Sequence, residues 1–194
     1  RLPVRSGPSS IPPALTEART TAPPPPSTGS RRKDEGFWVA VLPFKYGGAD
    51  ASLTGLAEGL TEEIVTGLSR FSYLKVIARS ATASGRSGTE LGARYVMEGS
   101  LRQSGTRLRI AVQLVNAFSG AHLWAETYER SFSPEAVFEL QDELVPRIVS
   151  TVADTHGVLS RSMSETLRGR TPEQLSPYEA VLRGFGYFER ATAE

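Results

Sequence analysis

"ARYVMEGSLRQSGTRLRIAVQLVNAFSGAHLWAETYER", residues 93–130, is the stretch whose reading decides the fold. Ser104-Gly105 is a turn signal between two runs in which apolar and polar residues alternate, so the chain is expected to double back there as a β-hairpin. Centring the turn on these two residues pairs Gln103 with Thr106, Arg102 with Arg107, Leu101 with Leu108 and Glu98 with Ala111. Because side chains alternate across a strand, Leu108, Ile110, Val112 and Leu114 share one face with Leu101. Arg107, Arg109 and Gln113 join Arg102 and Glu98 on the other. A second turn, "NAFSG" at 116–120, leads into "AHLWAETYER". A loop of that size has room for a bulge, so spacing leaves the facing of this third strand open.

Upstream, "FWVAVLPF" at 37–44 is a short, nearly continuous apolar run, as expected of a strand buried on both faces, with Pro43 ending its ladder. After the turn "KYGGAD", the residues Leu56, Leu60, Ile64, Leu68 and Phe71 recur at helical spacing, with Ser52 or Thr54 as caps. "KVIAR" at 75–79 is a further strand, and the order strand, helix, strand predicts a parallel βαβ unit with a right-handed crossover. The small, polar "SATASGRSGTELGA" that follows is expected to be a loop with at most one helical turn, at Thr89–Leu91. Downstream, Val137, Leu140, Leu144, Ile148 and Val152 mark a helix capped by Ser133, with Pro134 in its first turn. Pro146 is expected to kink or break it, since proline inside a helix costs roughly 3 kcal/mol.

These elements divide the chain into a linker over 1–36, an α/β domain over 37–155, a connector over 156–175 and an amphipathic helix over 176–194 with no partner of its own. The linker holds eight of the thirteen prolines, including Pro23 to Pro26, and cannot bury enough apolar surface to fold. The chain begins at Arg1 and ends within a helical pattern, so it is expected to be part of a longer protein. Its net charge of +1 gives no global field toward nucleic acid or membranes, and no apolar run approaches the about 20 residues needed to span a bilayer. The lack of cysteine excludes disulfides, thiolate nucleophiles and cysteine-based zinc sites.

Catalytic constellations are not found. His122 and His156 belong to no metal-ligand spacing, and the adjacent pairs Glu62-Glu63 and Asp142-Glu143 diverge by roughly 100° on their helices. Neither "KYGGAD" nor "ASGRSG" gives a phosphate-binding fingerprint, although "YGGAD" stands between a strand and a helix, where an anion can meet backbone N–H groups. The segment is therefore expected not to be an enzyme and to need no cofactor or metal. The one candidate interaction face is Arg102, Arg107 and Arg109. Two arginines opposite one another repel, and Glu98, diagonal to Arg109, is the nearest carboxylate to offset them. With no aromatic residue among them for base stacking, a solvated sheet face ranks first, a protein contact second and nucleic acid a distant third.

The series "VAVLPF", "LAEGLTEEIVTGLSR", "VIAR", "ELGARYVMEGSLR", "RLRIAVQLVNAFSGAHLWAETYER" and "FELQDELVPRIV" resembles the TolB amino-terminal-like, or FlgO-like, domain of multidomain bacterial signalling proteins. The resemblance covers residues 37–155. It implies an α/β (α+β) fold similar to the anticodon-binding-like layer, a mixed sheet of about five strands with helices packed on it. It further implies a non-catalytic regulatory module between an upstream output domain and protein-binding tetratricopeptide repeats, which "SPYEAVLRGFGYFERATAE" is similar to the start of. A class III adenylate or guanylate cyclase is the first expectation for the output domain; a winged-helix regulator and a Ser/Thr kinase are the others. Partners are then proteins, and the compartment is the cytoplasm, or else the periplasmic side of an anchored parent. The segment between "VIAR" and "ELGARYV" is shorter than the family's, and Pro146 is unusual for its helix.

Overall fold

A computed structural model describes residues 37–82 and 85–191; the linker reading of 1–36 lies outside the described residues. Its centre is a six-stranded mixed sheet. Strand β1 (Trp38–Val41) lies between β3 (Lys75–Val76) and β4 (Tyr95–Ser104), parallel to both, while β5 (Arg107–Asn116) and β6 (His122–Ser131) continue from β4 as an antiparallel meander. A two-residue strand, β2 (Lys45–Tyr46), adds itself parallel to the far half of β4. The mixed α/β class and the buried first strand follow the sequence pattern: Val39, Ala40 and Val41 are all fully buried.

Helix α1 (Ala51–Ser69) makes the crossover between β1 and β3 and packs beside α3 (Val137–Ala153). Leu53, Leu56, Leu60, Ile64 and Leu68 form its buried stripe; Phe71 lies just past its end. Its cap is Asp50 rather than Ser52 or Thr54, with the carboxylate accepting from the Ser52 N–H at 2.8 Å and the Leu53 N–H at 3.4 Å. Buried Thr61 ties the helix to the chain leaving β1, because its hydroxyl accepts from the Phe44 N–H at 3.0 Å and donates to the Ala57 carbonyl at 2.8 Å.

Four expectations need correction. The β4–β5 turn is Gly105-Thr106, not Ser104-Gly105, so Ser104 faces Arg107 and Arg102 faces Arg109. Gly105 has φ +60° and takes the first loop position, where a type II′ turn places its glycine; the earlier centring would require left-handed backbone at Ser104 as well. The slip moves each pairing by two residues, an even number, so every side chain keeps its face. Second, of the kink or break expected at Pro146, the break does not occur: α3 runs through it, with Pro146 exposed and flanked by buried Leu144, Val145, Ile148 and Val149. The carbonyl that loses its donor there, that of Asp142, is on the exposed side. The helix also starts differently: Pro134–Ala136 form a 3₁₀ turn, and Ser133 precedes it without a side-chain cap.

Third, "VIAR" leaves the strand at once and a short helix, α2 (Arg79–Thr82), follows; Gly88–Gly92 is a turn. Fourth, the stretch expected as a connector holds α4 (Val158–Leu167), which buries Leu159, Met163 and Leu167, and the last helix, α5 (Pro177–Ala191), packs on it. Tyr73 fastens this end to the sheet. Its hydroxyl donates to the Ala153 carbonyl at 2.5 Å, its own carbonyl accepts from the Tyr178 hydroxyl at 2.6 Å, and burial pushes its phenol up to about 12.

All the long helices that contribute to the main core lie on one side of β4–β6. That side buries Met97, Leu101, Leu108, Ile110, Val112, Leu114 and Tyr128. Toward β1 the opposite side has a small core of its own, Ala40, Ala93 and Val96. Beyond it, among the described residues, no helix covers this side of the meander, which forms its bare face.

Candidate functional site

The bare face is built by the odd residues of β5 and their partners. Direct cross-strand pairing places Arg102, Arg109 and Glu129 in one row, Ser100, Ala111 and Thr127 in the next, and Glu98, Gln113 and Ala125 in the third. β2 adds Lys45 beside Ser100. The face therefore carries four cations, Lys45, Arg102, Arg107 and Arg109, against two carboxylates, Glu98 and Glu129.

Glu129 is the residue sequence reasoning missed. Leu123 is an extra residue between the pairs Leu114–Trp124 and Val115–His122, and this bulge sets the facing of β6. It brings Glu129 opposite Arg109, where its carboxylate accepts from Arg107 Nη2 at 2.7 Å and from Arg109 Nε at 2.9 Å, with Arg109 Nη2 also bonded. Hydrogen bonds from Arg109, then Arg107, hold the Glu129 carboxyl below the ordinary glutamate range. Glu98, the carboxylate expected to offset the arginines, instead faces Gln113, whose Nε2 donates to it at 3.1 Å.

Arg102 and Lys45 are thus left as the cations of this face without an ion-pair partner among the described residues, Arg102 directly opposite another arginine. Arg102 separates two shallow hollows. The larger, about 440 Å³, has a floor of Gly99, Ser100, Ala111 and Thr127 and is walled by Pro43 and Lys45. The smaller, about 270 Å³, lies between Arg102, Arg107, Arg109 and Glu129. No aromatic side chain lines either hollow among the described residues. The rings that do meet cations stand elsewhere, as where Arg94 lies 5.2 Å from the Phe37 ring and 5.9 Å from Phe118. Open, cationic and floored by small side chains, the face suits a flat acidic surface that accepts charge-assisted hydrogen bonds.

The other motifs resolve into structure. The helix N-terminus behind "YGGAD" is filled by the Asp50 carboxylate, so the anion position there is taken by the chain itself. Of the adjacent carboxylates, Glu143 accepts from Arg130 Nε at 3.1 Å, and Arg130 holds it below the ordinary range. His122 opens β6, and His156 Nδ1 lies 3.2 Å from the Thr155 hydroxyl. Among the described residues no cluster of His, Asp and Glu has the placement to hold a metal, and no helix is long and apolar enough to cross a membrane.

A family model described as the HilA/YgeH-like transcriptional regulator, second domain, matches residues 35–147. A curated protein of Rhizobium meliloti (strain 1021), "Putative adenylate cyclase 3", is 39% identical over 139 residues, which are 68% of this chain and 22% of that protein. The chain thus spans less than a quarter of the curated relative it matches. Among solved structures, TolB from Acinetobacter baumannii is similar at 18% identity and a TM-score of 0.38, over 63% of this chain and 30% of that one. A PelC dodecamer from Paraburkholderia phytofirmans is similar at 17% identity and a TM-score of 0.42, over 59% of this chain and 86% of that one.

Proposed function

From a chain that belongs to the HilA/YgeH-like transcriptional regulator second-domain family, we infer that the sheet domain is a non-catalytic regulatory module of a longer bacterial signalling protein. The observation that carries this reading is the match to a fraction of a cyclase-named relative by a domain whose exposed chemistry is a cationic sheet face. The module couples an output domain, a class III adenylate or guanylate cyclase, to protein-binding helical repeats that continue from α4 and α5. It works in the cytoplasm, contributes no catalytic residue and binds protein. Its docking surface is the open face, where unpaired Arg102 and Lys45 supply the charge and the small side chains of Ser100 and Ala111 allow close approach.

The family's description favours a second reading, in which the output domain is a DNA-binding transcriptional regulator and the same module passes a signal to it. Assaying the full-length parent for cyclic-nucleotide formation separates the two. The expected result is cyclase activity in the parent, none in this chain, and a changed rate in a parent carrying Lys45→Glu with Arg102→Glu. A parent that binds promoter DNA and makes no cyclic nucleotide establishes the second reading. Nucleotide turnover by the 194-residue chain alone overturns the non-catalytic one.

A further inference from the structure

Strand β6 ends the sheet: among the described residues His122–Ser131 pairs with β5 alone. A sheet edge presents a row of unpaired N–H and C=O groups, which proteins commonly blunt with proline, lysine or a bulge. This strand contains no proline, lysine or glycine, and its one irregularity is at Leu123. From Trp124 to Ser131 the register is unbroken, and the outward groups of Ala125, Thr127, Glu129 and Ser131 form a regular row in which the Glu129 carbonyl accepts from Arg130 Nη1 at 2.8 Å, a bond that an added strand would have to replace.

The side chains decide which strand fits there. On the helix-covered face Glu126 is bound by Arg147 at 2.6 Å, and Arg130 is bound to Glu143. An antiparallel second copy of β6, related by a twofold axis through Tyr128, sets Glu126 of each copy opposite Arg130 of the other. Trp124 then faces Phe132, and Thr127 faces Glu129. The neighbouring registers that keep the helices on one side are worse. An axis through Thr127 opposes Glu126 to Tyr128 and Arg130 to Trp124, whereas axes through Glu126 or Glu129 oppose each carboxylate to itself. Like charges directly opposite destabilise a strand pair, and unlike charges stabilise it.

We propose that two copies of this chain join edge to edge through β6, antiparallel about Tyr128. The sheet becomes continuous across the join, with the helices of both copies on one side and both arginine faces on the other. Along the covered side the charges alternate through the interface, from Arg147 to Glu126, then to Arg130 and Glu143 of the other copy. The interaction is isologous, so it closes at two copies and uses up the exposed edge.

The absence of native cysteine makes the register directly testable. In the full chain, Thr127→Cys and Glu129→Cys are made separately, mixed and mildly oxidised. Directly opposed residues stand about 4.5–5.5 Å apart, within disulfide reach, while diagonal ones lie at about 7–8 Å, beyond it. A disulfide-linked dimer should therefore form in the mixture at least about tenfold faster than in either variant alone. Sedimentation equilibrium of the native chain should give the mass of two chains, and Thr127→Pro, which removes a ladder donor, the mass of one with unchanged far-UV circular dichroism. A single-chain mass for the native protein at about 100 μM, a range in which even weak specific pairs associate, overturns the proposal. So does cross-linking that is as fast in one variant alone as in the mixture. If Thr127→Pro unfolds, the cysteine pair decides the matter without it.

Discussion

The two faces of the β4–β6 meander share one backbone ladder and differ in everything else. Toward the helices, Leu101, Leu108, Ile110, Val112, Leu114 and Tyr128 are all at most 3% exposed, and the ion pairs that cross to α3 from Glu126 and Arg130 sit at the rim of that packing. On the opposite side Arg107 and Arg109 are 77% and 61% exposed, and among the described residues no helix lies over them. An antiparallel sheet tolerates this because backbone hydrogen bonds hold the ladder while one apolar face supplies the burial. The covered face therefore holds the structure, and the bare face is free to be selected for something else.

Substitutions at neighbouring positions of the β5–β6 ladder should separate the two roles. Ile110→Ala removes a fully buried side chain from the covered face and should cost about 2–5 kcal/mol in urea unfolding. Thr127→Ala, on the bare face, should stay within about 0.5 kcal/mol of the parent. Similar losses at both sites would mean that something covers the bare face in solution. A smaller loss is expected at Gly99, which faces the helices. A methyl group there would stand 2.4 Å from the Phe44 ring, which is itself buried, so Gly99→Ala should overpack by about 1–3 kcal/mol. Away from both faces, Asp50→Ala should cost about 1 kcal/mol through the lost cap, with Asp50→Ser largely restoring it.

This division of faces was legible in the sequence because strand periodicity is two, and a register error of two residues leaves it intact. The register itself was not, since "SGT" offers two places for the turn and only the backbone conformation of Gly105 chooses between them. The partner of the arginines was hidden for a related reason. Glu129 stands beyond a bulge at Leu123, and no pattern in "AHLWAETYER" marks which residue is extra. Helix α4 is only weakly marked in the sequence: Leu159, Met163 and Leu167 are spaced by four, but serine, arginine and glutamate between them give the segment the composition of a connector. At Pro146 burial on both sides keeps α3 in one piece where the local rule alone allows a break. The sheet face of Arg102, Arg107 and Arg109 was thus recognisable as a surface, while its charge balance depended on a strand whose placement required the whole fold.

That balance is open to the finest test. The Glu129 carboxyl is held low by Arg109 and Arg107 on the bare face, and Glu143 is held low by Arg130 at the edge of the covered one. Side-chain carboxyl NMR should show both titrating below the unfolded glutamate value of about 4.3. Arg107→Gln with Arg109→Gln should raise Glu129 toward that value and leave Glu143 where it is. The sign for stability follows from linkage. A carboxyl whose pKa is lower in the folded chain stabilises it above the unfolded pKa, and the gain disappears as pH falls through the folded pKa. The native chain's advantage over the double variant should therefore be full at neutral pH and shrink below about pH 4. It should also shrink with added salt, because the three side chains are solvent-exposed and screening acts on them directly. An advantage that persists in acid would place the arginines' role outside Glu129, with Arg102 and the unpaired cationic half of the face.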